Sequence, residues 1–403
     1  MAIVRPFRAV RPTPDNAAHI AAVPYDVVDT EEARALAAGN PLSFLHVSRA
    51  EIDLPSGADP HSDRVYRLAA ERYLKLKHDA PLVQEASDSM YLYRLHVEGH
   101  TQTGIAASFS LEEYDSGVIK KHERTRRDKE DDRTRHMVEL GAQTGPVFLT
   151  FKPISAVEDI IKRETKQEPL FDFTAIDGVR HTLWRLAGAG ADAIARAFAD
   201  VRALYIADGH HRAASAGRAR EHLASSSEAK FFLAVAFPSN HVRILPYNRV
   251  VRDLNGHIPE GFLGELARRG FAAERGAAVP SRKGETSMYV GGAWYCLDLE
   301  SAGKMGTGLI DSLDCNLLQE KVLGPVLGIG DIRTDRRIDF VGGARGTVAL
   351  EQLVDSGKAA VAFSMHPVSV EELMAVSDAD AIMPPKSTWF EPKLRDGLLI
   401  HEL

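Results

Sequence analysis

The sequence predicts an α/β protein in which α and β elements are mixed and two regions follow one another. Three observations point to this class. Short apolar runs alternate with helix-forming segments, the pattern of strands buried under helices. Hydrophobic residues make up 44% and charged residues 26% of the chain, close to ordinary globular composition. The 403 residues are enough for two or three cores at roughly 100–200 residues per domain.

Taken in order, an apolar strand-like segment runs up to Pro12, and Thr30-Glu-Glu-Ala-Arg-Ala-Leu-Ala-Ala-Gly39 combines a capping residue, helix formers and a closing glycine. Tyr66 to Leu76 has helical amphipathic spacing, while Ser89 to Glu98 and Gly104 to Ser110 alternate as hairpin strands. A charged helix starting near Asp128 closes at Gly141, and Pro146 to Phe151 reads as a strand. Ala203-Leu-Tyr-Ile-Ala207 is a buried-strand run that passes through Asp208-Gly209 into the Ala-rich helical stretch His210 to Leu223. Phe231 to Phe237, the longest apolar run, is strand-sized. Arg337 to Val341, Thr347 to Asp355 and Ala359 to Met365 form a β-α-β-like series, and Ser369 to Ser377 is a last helix. Leu254-Asn-Gly256 interrupts the pattern, so the expected regions are 1–255 and 256–403.

A net charge of −7 argues against a phosphate backbone as the main partner, so nucleic acid is excluded as an expectation. The two cysteines, Cys296 and Cys315, supply neither a disulfide framework nor a cysteine zinc site, which fits a reducing cytoplasm. The N-terminal segment has no apolar signal core and no run of about 18 apolar residues occurs. The expectation is a cytoplasmic protein without membrane contact, able to form a homodimer.

Five places could carry chemistry. Asp208-Gly209-His210-His211-Arg212 lies between a predicted strand and helix. Free N–H groups and the dipole at a helix N-terminus attract an anion, a glycine lets it approach, and an arginine adds a two-pronged donor. That suits a phosphoryl group. Asp208 is the expected N-cap, with a carboxylate able to hold Mg²⁺ or to take a hydroxyl proton; the plainer alternative is that it only caps. Lys120 to His136 holds eight Lys/Arg and five Asp/Glu in seventeen residues. Helical spacing puts Lys129, Arg133 and His136 on one face, either a phosphate clamp or a solvated face laced by ion pairs. Pro384-Pro-Lys386-Ser-Thr388-Trp389-Phe390-Glu-Pro-Lys393 is a proline-fixed loop whose aromatics either stack a base or anchor the chain. Gly342-Gly-Ala-Arg-Gly346 is neither a Walker nor a dinucleotide loop and reads as a tight turn. Val23-Pro24-Tyr25-Asp26 puts a carboxylate after a rigid proline, as base, metal ligand or helix partner. The hydrolase elbow G-x-S-x-G is absent.

Ala22-Val-Pro-Tyr-Asp26, His122-Glu-Arg-Thr125, Ile206-Ala-Asp-Gly-His-His-Arg212, Leu245-Pro-Tyr-Asn-Arg249 and Pro384-Pro-Lys-Ser-Thr-Trp-Phe390 together resemble the domain-of-unknown-function 1015 family. The Asp-Gly-His-His-Arg segment also resembles the signature of the ParB/sulfiredoxin-like superfamily, which binds nucleotide phosphates at a strand–turn–helix. His210 stands where sulfiredoxin has its cysteine, and no basic helix-turn-helix of a ParB protein is evident, so the free-serine kinases match best. That resemblance implies a ParB/sulfiredoxin-like nucleotide-binding core and transfer of a phosphoryl group from ATP or ADP, with Mg²⁺, to the hydroxyl of free L-serine. It places Gly209, His210 and Arg212 on the nucleotide phosphates, Asp208 on Mg²⁺ or the acceptor and Asp26 in the remaining acid–base role, with His211 a further catalytic residue. For the kinases' N-terminal glutamate the candidates are Asp26, Glu31 and Glu32. His122, Arg124, Lys129 and Arg133 would clamp phosphates or the serine carboxylate, with Lys386 and Thr388 closing the site. A nucleotide-binding regulatory module and a phosphoserine phosphatase are the competing expectations.

Overall fold

The computed structural model describes residues 2–79, 81–301, 306 and 308–403. The chain divides into two units, Met1–Val242 with Pro392–Leu403, and Arg243–Glu391. The break expected near residue 255 falls inside the second unit. Leu254-Asn-Gly256 is a turn there, with Asn255 at φ 54 and Gly256 at φ 82, so the interruption read from the sequence is local.

The first unit is built on a nine-stranded mixed sheet. Its strands are β1 (Val4–Arg5), β2 (Ser89–Val97), β3 (His100–Ser110), β4 (Ile119–Lys120), β5 (Val147–Phe151), β6 (Phe171–Thr174), β7 (Arg180–Ala187), β8 (Leu204–Asp208) and β9 (Phe231–Pro238). Their order is β4-β8-β5-β9-β3-β2-β7-β6, with β1 added beside β3. The pairs β8/β4 and β9/β5 are parallel and the others antiparallel. The expected hairpin is β2–β3, joined with Val97 opposite His100. From Phe232 through Pro238, β9 is buried, as a strand flanked on both edges and covered on both faces must be. Gly104 sits where a Cβ would lie 2.8 Å from both Val235 and Phe237, so only glycine lets these two strands approach.

Helices α1 (Thr30–Ala37), α2 (Asp63–His78), α3 (Arg127–Leu140), α4 (Ser155–Glu164), α5 (Ala189–Phe198) and α6 (His210–His222) belong to this unit. The cap of α1 is Asp29, one residue before the expected start, in a capping box with Glu32. Gly141 closes α3 in the left-handed conformation at φ 60, as its position in the sequence requires. One core cluster joins Leu92, Ile105, Phe109, Leu149, Phe151, Ile206 and Phe232 of the sheet to Ile160, Phe198 and Ala213 of the helices. The C-terminal segment returns to this unit. Asp396 bridges Ala22, Ile400 bridges Val10, and His401–Glu402 pairs with Ala142–Gln143.

The second unit carries an antiparallel sheet of β10 (Tyr247–Val251), β11 (Glu274–Arg275), β12 (Glu285–Val290), β13 (Ala293–Asp298), β14 (Ile338–Gly342) and β15 (Val361–Met365), ordered β11-β13-β12-β15-β10-β14. The β-α-β series is present in split form. Strands β14 and β15 both pair antiparallel with β10 between them, so they run parallel to each other, with α7 (Val348–Asp355) in the crossover. In the proline-rich loop, Phe390 is 2% exposed and Trp389 packs edge-on to Tyr247 at 5.2 Å. A Cβ on Gly342 would meet the Trp389 ring at 2.7 Å. These aromatics therefore anchor the chain, which corrects the base-stacking alternative, and Gly342 serves close packing. Lys386, at φ 60, lies over Tyr247 at 5.4 Å and its carbonyl accepts from Arg249 at 3.2 Å. Thr388 is half-buried in the same loop. Among the described residues no helix is long and apolar enough to cross a membrane.

Candidate active site

The site forms where β8 ends and α6 begins. Gly209 takes φ 90 and is the N-cap, a conformation open to glycine at little cost, and a Cβ there would press on the Arg212 guanidinium at 3.0 Å. This corrects the expected capping role of Asp208, which stays in the strand. The Gly209 N–H donates to Asp208 Oδ1 at 2.9 Å. Asp208 Oδ2 accepts from Lys393 Nζ at 3.2 Å and lies 3.6 Å from Arg212 Nη2. Burial works against the Asp208 charge, but Lys393 and Arg212 outweigh it and hold the carboxyl well below the usual carboxylate range. The first amides of α6, those of His210, His211 and Arg212, have no carbonyl within the helix to bond.

Arg212 is buried, 4% exposed; its Nη1 donates to the Pro146 carbonyl and its Nε has no hydrogen-bond partner. The charges of Asp26, Asp208 and Asp396 all act on it. Asp26 is exposed, in a turn closed by Val27 N–H to the Pro24 carbonyl at 3.2 Å, and its charge also reaches His211. Glu31 is instead paired to Arg34 and Glu32 is spent in the α1 capping box. Of the three N-terminal carboxylates, Asp26 is therefore the one whose charge acts on Arg212.

Lys393 entered the sequence reading only as the end of the proline-fixed loop, without a role at this site, and Asp396 did not enter it. The Ala22–Asp396 bridge, with N–H···O distances of 3.2 and 2.9 Å, lays the C-terminal segment beside the Pro24-Tyr25-Asp26 turn. Asp396 is 2% exposed. The Tyr25 N–H donates to its carboxylate, whereas Oδ1 has no hydrogen-bond partner. Burial first, and the Asp26 charge with it, push the carboxyl up to about 7 against the opposing pull of Arg212 and Arg133. Gly145 makes room for it, since a Cβ there would collide with Asp396 Oδ1.

The basic stretch separates into different roles. His211 is half-buried and its Nε2 accepts from the Arg126 N–H at 3.0 Å, while the Lys129 charge acts on it. Arg124 is exposed. Arg133 lies 4.1 Å from the Tyr25 ring, pairs with Asp132 at 2.8 Å and donates to the Ser48 carbonyl at 3.3 Å, so it is engaged in packing and is not presented to a ligand. The expected three-cation face is not formed, because His136 turns into the core with Nε2 3.0 Å from the Val47 carbonyl. Burial and the Arg133 charge push its pKa down to about 4. A histidine that is harder to protonate folded than unfolded stabilises the fold above the unfolded pKa and loses that contribution as pH falls. Between pH 7 and pH 4 the loss is about 3 kcal/mol from an unfolded pKa of about 6.5. Urea unfolding of His136→Gln should accordingly show a flatter acid limb than the parent over that window; parallel limbs exclude His136 as the source.

His122 is 2% and His210 5% exposed, with rings edge-to-face at 4.5 Å. Asp208 does not fit the expected Mg²⁺ ligand. Its oxygens are engaged by the Gly209 N–H, Lys393 and Arg212, whereas Mg²⁺ seeks free oxygen ligands in octahedral array.

Fold and site together define a mixed α/β protein with an anion-attracting strand–turn–helix, charged on both sides by residues distant in sequence. The chain belongs to the DUF1015 family of proteins of unknown function, whose model matches residues 4–316. No curated protein matches it. Among solved structures it is similar to a free serine kinase in complex with AMP, at 13% identity and TM-score 0.35 over 73% of this chain and 92% of that one. It is likewise similar to a conserved hypothetical protein from Pyrococcus furiosus, at 13% identity and TM-score 0.36 over 73% and 94%. A third is SbnI with C-terminal truncation from Staphylococcus aureus, at 13% identity and TM-score 0.39 over 72% and 85%.

Proposed function

We propose that this chain transfers a phosphoryl group from ATP or ADP to the hydroxyl of free L-serine, giving O-phospho-L-serine. The observation that carries the reading is the convergence of free helix-N-terminal amides, the Asp208–Lys393 pair at 3.2 Å and the charge of exposed Asp26 around Arg212. Phosphoryl transfer needs positioned positive charge and a base more than covalent help. The amides of His210, His211 and Arg212 and the positive end of α6 bind the donor phosphates, with the Arg212 charge beneath them. Asp26 accepts the hydroxyl proton as serine oxygen bonds to the terminal phosphorus and the bond from that phosphorus to the leaving nucleotide breaks. Lys129 and Arg124 are assigned to the outer phosphates and His211 to proton transfer.

The pairing of both Asp208 oxygens favours one alternative, a nucleotide-binding switch that transfers nothing. Incubation of the protein with L-serine, Mg²⁺ and either ATP or ADP, followed by phosphorus NMR, decides. A serine-dependent phosphomonoester resonance is the expected result and names the donor; its absence with both donors rejects the kinase.

A further inference from the structure

We propose that His122, Glu123 and His210 hold one divalent cation of the zinc class, distinct from any magnesium carried on a nucleotide. One ligand atom from each of the three side chains lies within 4.8 Å of the others, and His210 Nδ1 is 3.9 Å from Glu123 Oε2. That gap is too long for a hydrogen bond. Two ligands at the usual zinc–nitrogen or zinc–oxygen distance in a tetrahedron stand roughly 3.3 Å apart, so a small movement of Glu123 closes the group around a cation.

The fold explains why these residues meet. His122 follows β4, which pairs in parallel with β8 through Leu204 and Tyr205, and His210 follows β8 across the Gly209 turn. The chain bends at Glu123, so consecutive side chains are not forced to opposite faces as in a strand. A ring N–H of His122 donates to the Ile206 carbonyl. Such a bond fixes the tautomer and leaves the other nitrogen basic, the support that metal-bound imidazoles ordinarily have.

Packing alone does not account for the cluster. His210 is 5% exposed, its Nε2 has no hydrogen-bond partner and its Nδ1 stands beyond hydrogen-bond reach of Glu123, so the ring has a nitrogen to offer a cation whichever one binds, a costly state for a buried imidazole without a ligand. The nearby Asp208 charge acts on both rings and favours a dication beside them. Two imidazoles and one carboxylate suit zinc, iron, cobalt or nickel, whereas magnesium prefers oxygen alone. Three protein ligands leave a position open, as in zinc sites that take water or a substrate oxygen. At the start of α6, that position suits an oxygen of a bound phosphate.

The test needs no nucleotide and does not depend on the serine kinase reading, so either can fail alone. The full chain, dialysed against a chelator, is titrated with Co²⁺ and followed by visible absorption, then by displacement with Zn²⁺. One saturable equivalent in the micromolar range is expected. Glu123→Gln, in a half-exposed side chain whose change spares the core, should weaken it at least about tenfold, and His210→Gln should remove it. His78→Gln, at an exposed position, should titrate as the parent. The absence of saturable Co²⁺ binding, or a Glu123→Gln protein with unchanged circular dichroism that binds as tightly as the parent, overturns the assignment. Should His210→Gln unfold, the Glu123 variant alone decides.

Discussion

Arg212→Ala is expected to lose about 3–5 kcal/mol of folding stability, the usual consequence of removing one partner from a buried ionic cluster, and with it measurable nucleotide binding. Arg212 is 4% exposed, and its charge is shared among Asp26, Asp208 and Asp396. Alanine leaves buried Asp396 and half-buried Asp208 with less compensation, a void where the guanidinium lay, and a Pro146 carbonyl without its donor. The pH dependence has a definite sign. The Asp396 carboxyl is already raised to about 7, so the folded state binds a proton more readily than the unfolded one, and this group's contribution is lost as pH rises through the folded value. Without Arg212 the folded pKa moves higher still, and the deficit of the variant should be larger at pH 8 than at pH 6. Urea unfolding at both pH values and calorimetric titration with ADP check this. Arg212→Lys keeps the charge but not the two-pronged geometry and should recover part of the stability. Unchanged nucleotide affinity in the alanine variant removes Arg212 from the binding site.

The strand–turn–helix that organises this cluster was legible because each signal in it is local. Five apolar residues, an Asp-Gly pair and an Ala-rich stretch prescribe β8, the turn and α6 almost to the residue. What was not legible came from two sources. Lys393 reaches Asp208 across 185 positions, and Asp396 arrives only because the C-terminal segment pairs beside Ala22; no periodicity within either segment announces the other. The Pro-Pro-Lys motif did draw attention to its end of the chain, but to Lys386 instead of Lys393. The second source is the ambiguity of helical spacing. Positions i, i+4 and i+7 share a face whether that face meets solvent or core, and Arg133 and His136 took the core-facing alternative. Asp208 was misplaced as a cap for a related reason. Composition favours aspartate at an N-cap, but the φ of 90 at the next residue can be supplied by Gly209 alone, so the helix starts one residue later and frees the carboxylate for Lys393.

Asp26→Asn separates a phosphoryl-transfer enzyme from a nucleotide-binding switch. If Asp26 takes the serine proton, turnover should fall by about 100- to 10 000-fold, the range over which a positioned acid or base ordinarily acts. The fold should be spared, because Asp26 is exposed and sits in a backbone-closed turn. Nucleotide affinity should hold or rise, since a negative charge near the bound phosphates has been removed. A second signature follows from the neighbours. The Asp26 charge raises both Asp396 and His211, so asparagine should lower both pKa values and move the pH profile of any residual rate toward acid. A switch predicts none of this: its nucleotide response should survive the substitution. A variant that keeps both parental turnover and the parental pH profile therefore removes Asp26 as the base. In that case Asp396, buried beside Arg212 with one oxygen unbonded, is the remaining carboxylate of this cluster not paired to a cation by hydrogen bond, and the next group to exchange.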